Sequence, residues 1–541
     1  MKMSNSANNY DAIVVGGGFG GVYQVYKLRE LGFNVKAFER GAGLGGVWRQ
    51  NVYPGARVDS DVPVYQLWIK DVYEDFDFEK RFPDWREIQK YFSHVDKKLN
   101  ISQHYDYNTW VTEASFDDNT GKWTVTATGD GAGTYTAKYL LLCTGFASKS
   151  YTPNFKGLDK FKGIMHHTSE WPVEQVDFKG KRVAVVGTGA SGVQVIQEVG
   201  PHVESLTVYQ RTPNLAIPMV QHDNDKEYEN KRKENYDKVF ENTLVVSTGG
   251  FEFGFDPRSC LEVSPEVREA HFEECFRKGG FNFWIANFHD VWTNQEADTL
   301  AYNFWRKKVL ARLTRPEMRE LLAPEKSPVT WSGKRPCLEQ TYYEVYNQPN
   351  VDIVNLRKEP IIEFTEKGIS TADHGKLEFD IIVLATGFDA VTGGLTQINV
   401  RGVKGETLKE KWANGVYTYL GVSAADFPNM FFMYGPQGPT AFSNGPTCAQ
   451  IQANWITDAI VFAEKNNLKT ISPSAEAEQK YRHHVNAIQD KTLVGQTKSW
   501  YTGGNIPGKK LEALNYLGGI PNYMKEIDQE ANLLYANFIK A

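Results

Sequence analysis

Two glycine-rich turns are the first places in this sequence where chemistry could be held. Gly16-Gly17-Gly18-Phe19-Gly20-Gly21 and Gly187-Thr188-Gly189-Ala190-Ser191-Gly192 share the spacing G-x-G-x-x-G. In such a turn the first glycine permits a tight reversal, the second lets backbone approach a pyrophosphate, and the third lets a helix lie close on a strand. The helix start then offers free N–H groups and the positive end of its dipole to the phosphates. The two units differ at their far ends. Glu39 stands about 20 residues past the first turn, where a carboxylate binds ribose hydroxyls. The second unit ends in Gln210-Arg211-Thr212, without an acid. A carboxylate there would repel a 2′-phosphate, whereas Arg211 can pair with one. Two different dinucleotides are expected, the second NADP(H) rather than NAD(H).

The elements that must position these residues are legible around them. Tyr10 to Val15 reads as a strand before the first turn. A helical pattern after it carries Val22, Val25, Leu28 and Leu31 inward, Gly32 stops it, and Val35 to Phe38 is the next strand. The second unit repeats this plan, with a strand at Val183–Val186, a helix to about Val199 and a strand at Leu206–Tyr209. A lone glycine turn could sit in a featureless β–α connection; strand, helix and end residue in register argue against that. Tyr139–Leu142 and Phe379–Leu384 read as strands ending in Cys143-Thr144-Gly145 and Ala385-Thr386-Gly387-Phe388-Asp389. The stretch from 217 to 329 shows helical spacing, as in Ser264–Lys278 and Glu296–Leu313.

Composition narrows the class. A chain of 541 residues with 41% apolar content can bury two or three cores. Its 60 basic and 66 acidic side chains form no basic run, which argues against a nucleic-acid partner. Five cysteines, never spaced C-x-x-C, exclude a dithiol redox centre, and no metal-ligand spacing is present. The polar start, Met1 to Asn9, has no apolar leader core, and no apolar run reaches the roughly 20 residues a bilayer requires. A cytoplasmic enzyme with no membrane partner is expected.

Several separate motifs then agree. Phe161-Lys162-Gly163 through His167 to Trp171-Pro172 fits F-x-G-x-x-x-H-x-x-x-W-P. Gly45-Gly46-Val47-Trp48 leads to Tyr53-Pro54-Gly55 and Asp59. Lys334-Arg335-Pro336 and Ser499-Trp500-Tyr501-Thr502-Gly503-Gly504-Asn505-Ile506-Pro507-Gly508-Lys509 come later, with Thr386–Gly393 and Ser443-Asn444 between them. From about Tyr10 to Tyr523 the chain resembles the Baeyer–Villiger monooxygenases, which insert one oxygen atom of O₂ beside a ketone carbonyl through a C4a-peroxyflavin.

The resemblance implies an α/β fold of two Rossmann-like dinucleotide-binding domains, for FAD and NADP, with a helical insertion. The expected order is FAD-type sequence over 1–147, NADP-type over 148–216, the insertion over 217–329, NADP-type again over 330–378, and FAD-type over 379–541. The cofactors implied are FAD and NADPH. Their contacts are expected from Gly16, Gly18, Phe19, Gly21, Glu39, Gly46, Val47, Trp48, Asp59, Tyr65 and Val111 on the FAD side. On the NADP side they are expected from Gly187, Thr188, Gly189, Ser191, Gly192, Arg211, Thr212, Lys334 and Trp500. Arg335 is the implied catalytic cation, aimed by Asp59, and His167 with Trp171 is implied to couple domain movement to NADP binding. Arginine suits the task because its pKa exceeds about 12 and it cannot quench a peroxide by giving up its proton.

Three other readings compete. An amine- or sulfide-oxidising flavin monooxygenase would share both folds but lack the Trp171-Pro172 ending. A disulfide reductase would need a cysteine pair. A nucleotide-sensing protein would have no use for Arg335, Asp59 and the Trp500 loop together. Gly445-Pro446 stands where several relatives carry a bulkier residue, which leaves the size of the ketone open, as is the oligomeric state.

Overall fold

The computed structural model describes residues 8–541; the start Met1–Ala7, on which most of the expectation of no leader rests, lies outside them. The chain folds as an α/β protein around two sheets. In the first, strand Asn9–Val15 lies between parallel neighbours Val35–Phe38 and Gly133–Leu142. The sheet then runs antiparallel through Lys122–Gly129 and Thr109–Asp117. It is completed from far along the chain by Asn399–Arg401 and Met430–Phe432, both parallel. The second sheet is wholly parallel, in the order Val351–Asn355, Ser205–Gln210, Arg182–Val186, Ile381–Leu384, Ile164–His167.

That last order corrects one expected boundary. The sequence predicts FAD-type chain from Phe379, yet Ile381–Leu384 pairs with Arg182–Val186 and Ile164–His167, inside the second sheet. The crossing back to the first sheet therefore begins after this strand, at Ala385. Leu31 also departs from expectation. The helix ends at Glu30, Gly32 turns the chain at φ +82°, and Leu31 is left 52% exposed.

The glycine turns explain why both units fold as they do. Gly16 and Gly187 hold φ of +117° and +108°, where an L side chain is strained. A methyl group on Gly21 would lie 1.8 Å from the Gly16 carbonyl oxygen, and one on Gly192 would lie 2.3 Å from that of Gly187. The helices Phe19–Glu30 and Ala190–Val199 can lie this close only because those positions carry no side chain. Val14, Val22, Val25 and Leu28, all fully buried, then close the first strand–helix face. Each such side chain contributes about 1.5–3 kcal/mol through burial.

The segment 217–329 is helical, as its spacing predicts. Pro265–Lys278 is capped by Ser264, whose hydroxyl accepts from the Val267 N–H, and Gln295–Leu310 by Asn294. Most of its aromatic residues join the core shared with the helical faces of both sheets, while Tyr236 and Phe240 pack on Tyr73 in a small cluster of their own. Among the described residues no helix is long and apolar enough to cross a membrane.

Candidate active site and cofactor cleft

A continuous cleft of about 1490 Å³ runs between the C-terminal ends of the two sheets, with both glycine turns in its wall. It exceeds the roughly 300–1,000 Å³ of an ordinary small-molecule site and suits two dinucleotides better than one. Its lining is strongly cationic, in a chain whose net charge is -6. Arg40, Arg57, Arg211, Lys326, Lys334, Arg335, Arg357 and Lys498 face it against Glu39, Asp59, Asp298 and Glu325. Such an imbalance favours anionic ligands.

Of the residues singled out from the sequence, Gly16, Gly18, Phe19, Glu39, Gly46, Val47, Trp48, Asp59, Tyr65, Val111, Gly187, Thr188, Gly189, Ser191, Arg211, Thr212, Lys334, Arg335 and Trp500 all line this cleft. Gly21 and Gly192 do not; they lie beneath the turns and act by letting helix meet strand. His167 and Trp171 stand outside it as well. His167 ends the strand Ile164–His167, its Nδ1 2.7 Å from the Ser169 hydroxyl, and its Nε2 is buried without a partner. Burial holds its pKa below the ordinary histidine value. Trp171 is buried and stacks on Phe178 at 6.2 Å.

The first half of the cleft has its acid locked. Glu39 is 4% exposed and accepts from the Gly17 N–H at 2.6 Å and the Gly41 N–H at 2.7 Å. Gly46 and Gly18 bring two backbone segments together, since a Cβ on Gly46 would lie 2.9 Å from the Gly18 Cα. The Trp48 indole donates to the Tyr65 hydroxyl at 3.0 Å, and Tyr65 meets Phe19 edge-on at 5.3 Å. Arg40, which sequence reasoning missed, comes directly after Glu39. It donates to the Ser148 carbonyl and to Gln50, and lies over Trp110.

The second half gathers cations. Thr188 donates to the Thr212 carbonyl at 2.9 Å, and Arg357 donates to the Thr212 hydroxyl at 3.0 Å. Burial and the nearby Arg211 and Arg357 push the Lys334 ammonium below the ordinary lysine range, against the opposing effect of Cys337. Among the described residues no carboxylate pairs with Arg211, Lys334 or Arg357. Arg211 and Arg357 are exposed at the cleft mouth and Lys334 is half-buried behind them, and such a cluster of like charges fits a bound phosphate. Arg357 was also missed. Its strand pairs Asn355 with Gln210, so residues just past the two strand ends share one edge. Strand order, which a single sequence does not display, is the signal that would have found it.

Arg335 sits where the halves meet. Its Nε and Nη2 donate to the two oxygens of Asp59, both at 2.7 Å, and Nη2 reaches the Ser60 hydroxyl at 3.3 Å. Its Nη1 donates to the carbonyls of Ala441 and Ser443. Every donor is thus satisfied by the protein. Burial opposes the charge, but Asp59 outweighs it and holds the guanidinium pKa above its ordinary range. The insertion supplies the backing, with the Phe281 ring 4.5 Å and the Trp284 ring 5.9 Å from the guanidinium carbon. Aromatic rings also wall the space nearby. Phe146 stacks on Trp500 at 5.5 Å and meets Tyr434 edge-on at 5.5 Å.

The sequence and the fold have close counterparts. A family model described as flavin-binding monooxygenase-like matches residues 10–229. Cyclopentanone 1,2-monooxygenase of Comamonas sp. is 43% identical over 99% of this chain and 97% of its own length. A closed crystal structure of cyclohexanone monooxygenase superposes with a TM-score of 0.94 at 37% identity, covering 99% of this chain and 100% of that one. OTEMO in complex with FAD and NADP does so with a TM-score of 0.94 at 34% identity, covering 98% of this chain and 99% of that one. The chain belongs to the Baeyer–Villiger monooxygenases, within the flavin-dependent monooxygenases.

Proposed function

We propose that Arg335, aimed by Asp59 at the junction of the two cofactor halves, is the charge around which this enzyme oxygenates ketones. The enzyme is an FAD- and NADPH-dependent monooxygenase that converts ketones to esters or lactones with O₂. FAD, when bound and reduced by NADPH, would activate O₂ so that one of its oxygen atoms enters the ketone and the other leaves as water. The glycine turn at Gly16–Gly21 with Glu39, Gly46, Val47, Trp48, Tyr65 and Val111 would hold FAD. Thr188, Ser191, Arg211, Thr212, Lys334 and Trp500 would hold NADPH, with Arg357 as a third cation at its 2′-phosphate.

The observation that carries the reading is the Asp59–Arg335 pair in the cleft. A fixed guanidinium stabilises negative charge gathering on a carbonyl oxygen at no cost of reorganisation. Its five donors already have protein partners, so it acts by charge, or by yielding one carbonyl contact to the substrate. Phe146, Tyr434 and Trp500 exclude water from that space. Beside them Gly445 lines the cleft against Tyr434, whose hydroxyl a methyl on Gly445 would meet at 3.4 Å. A cyclic ketone of modest size is the substrate class these walls favour, and relatives are named for cyclopentanone and cyclohexanone. A cytoplasmic location suits five cysteines that are all buried and free.

The test is turnover with NADPH and air on linear, cyclic and aryl ketones and one thioether, tracking NADPH loss and product mass together. A lactone one oxygen heavier from a cyclic ketone, lost in Arg335→Ala by roughly 10²–10³-fold, is expected. Oxygenation of the thioether alone would defeat the role given to Arg335 and Asp59.

A further inference from the structure

The loop that carries Trp500 is fastened at both ends. At its near end the Thr330 N–H donates to the Thr497 hydroxyl at 3.1 Å, and the Ser499 hydroxyl to the Gly333 carbonyl at 2.9 Å. These contacts tie it to the turn that leads into Lys334-Arg335. At its far end the Asn505 amide donates to the Phe388 carbonyl at 2.8 Å. The Lys509 ammonium donates to Asp389 Oδ1 at 2.9 Å and to the Ala390 carbonyl at 3.3 Å.

Asp389 has a second partner. Its Oδ2 accepts from Lys149 at 3.1 Å, and its own N–H donates to the Lys149 carbonyl at 2.9 Å. Lys149 lies on the outgoing crossing between the sheets, after strand Gly133–Leu142. Asp389 lies on the return, after strand Ile381–Leu384. One carboxylate therefore joins both crossings and the Trp500 loop. The space is cut for it, because a Cβ on Gly393 would lie 2.8 Å from the Asp389 Cγ. Asp389 and Lys509 are 17% and 18% exposed, so the pair is shielded beyond an ordinary surface ion pair. Burial raises the carboxyl pKa, but the two lysines outweigh it and hold it below the usual range.

We propose that Asp389 is a positioning residue whose carboxylate latches the Trp500 loop to the paired crossings, so the loop covers the cleft only while the crossings hold the two sheets in this arrangement. The inference rests on the reading of Trp500 as the cover over the NADP half. Loss of the Lys509 arm frees the loop and leaves the crossings joined. Loss of the Lys149 arm loosens the outgoing crossing and leaves the loop attached.

Hydrogen exchange of the full-length, FAD-loaded enzyme tests this, with and without NADP⁺ and with no ketone present. Lys509→Met and Asp389→Asn are expected to speed exchange across 497–510 about tenfold, to abolish its slowing by NADP⁺, and to divert more NADPH to H₂O₂. Lys149→Met is expected to speed exchange over 146–152 while sparing the loop. Loop exchange within twofold of the parent in Lys509→Met and Asp389→Asn would overturn the latch. So would a uniform rise across both sheets, which marks a general stabilising pair. The exchange measurement uses no substrate, so failed ketone oxygenation in the parent would sink the site reading and leave this result standing.

Discussion

Glu39 and Arg211 occupy equivalent places, each just past the second strand of a glycine-turn unit, and their surroundings are opposite. Glu39 is buried, and two backbone N–H groups already satisfy its oxygens. Arg211 stands with Lys334 and Arg357 in a group of cations that no carboxylate among the described residues neutralises. The first half is preorganised and loses little on binding, which suits a cofactor that stays. The second is held against its own repulsion and gains most when a phosphate arrives, which suits a cofactor that is exchanged at each turnover. One strand–turn–helix plan thus serves residence and exchange, and the difference lies in whether the charge has a partner before the ligand comes.

The hardest blow to this contrast is a methyl group under each turn. Gly21→Ala would set a Cβ against the Gly16 carbonyl and cost on the order of 3 kcal/mol or more. We expect a protein that purifies colourless or loses flavin on gel filtration. Gly192→Ala should keep its yellow colour and lose NADPH binding, seen as a rise in KM of two orders of magnitude or more. Equal loss of flavin in both variants would break the independence of the halves.

A smaller effect sharpens the cation side. Arg211→Ala removes a charged hydrogen-bond donor worth about 1.5–3 kcal/mol, or roughly 10–100-fold in NADPH KM. NADH, which has no 2′-phosphate, should be unaffected. Arg357→Ala should act in the same direction by about tenfold or less, since Thr212 already shares its guanidinium. A variant that weakens NADH equally would show that these arginines hold the fold rather than the phosphate.

The smallest effect is one of pH. Burial and two neighbouring arginines lower the Lys334 pKa. As pH rises through that lowered value the ammonium loses its proton, and attraction for the phosphate falls. NADPH KM should therefore climb on the alkaline side before a free lysine, with pKa near 10.4, would cause it. Lys334→Arg should flatten the climb; a profile unchanged by it would assign the rise elsewhere.

Legibility in the sequence divides along similar lines. The two turns, Glu39 and Arg211 are legible because local spacing defines them, and Asp59 with Arg335 because short motifs mark them. Phe281 and Trp284 are not. They sit in a helical insertion whose spacing shows only that its aromatic residues are buried, not that two of them back the Arg335 guanidinium. Arg357 is hidden for another reason, since it joins Arg211 only through the pairing of strands far apart in sequence. The misplaced boundary at Phe379 has that cause too. A short apolar run announces a strand but not the sheet that will take it.

The first sheet carries a consequence for how the enzyme is made. Its strand Gly133–Leu142 is joined by Met430–Phe432, and its helix Phe19–Glu30 is covered by Gly445–Lys465, with Tyr23 bonded to Asn454 and Gln24 to Thr457. The second sheet is complete once Ile381–Leu384 has emerged. On a ribosome adding about 5–20 residues per second, the half begun first is finished last. While Met430–Phe432 and Gly445–Lys465 are still being made, the nascent chain holds a closed second sheet beside a first sheet that lacks one strand and its covering helix.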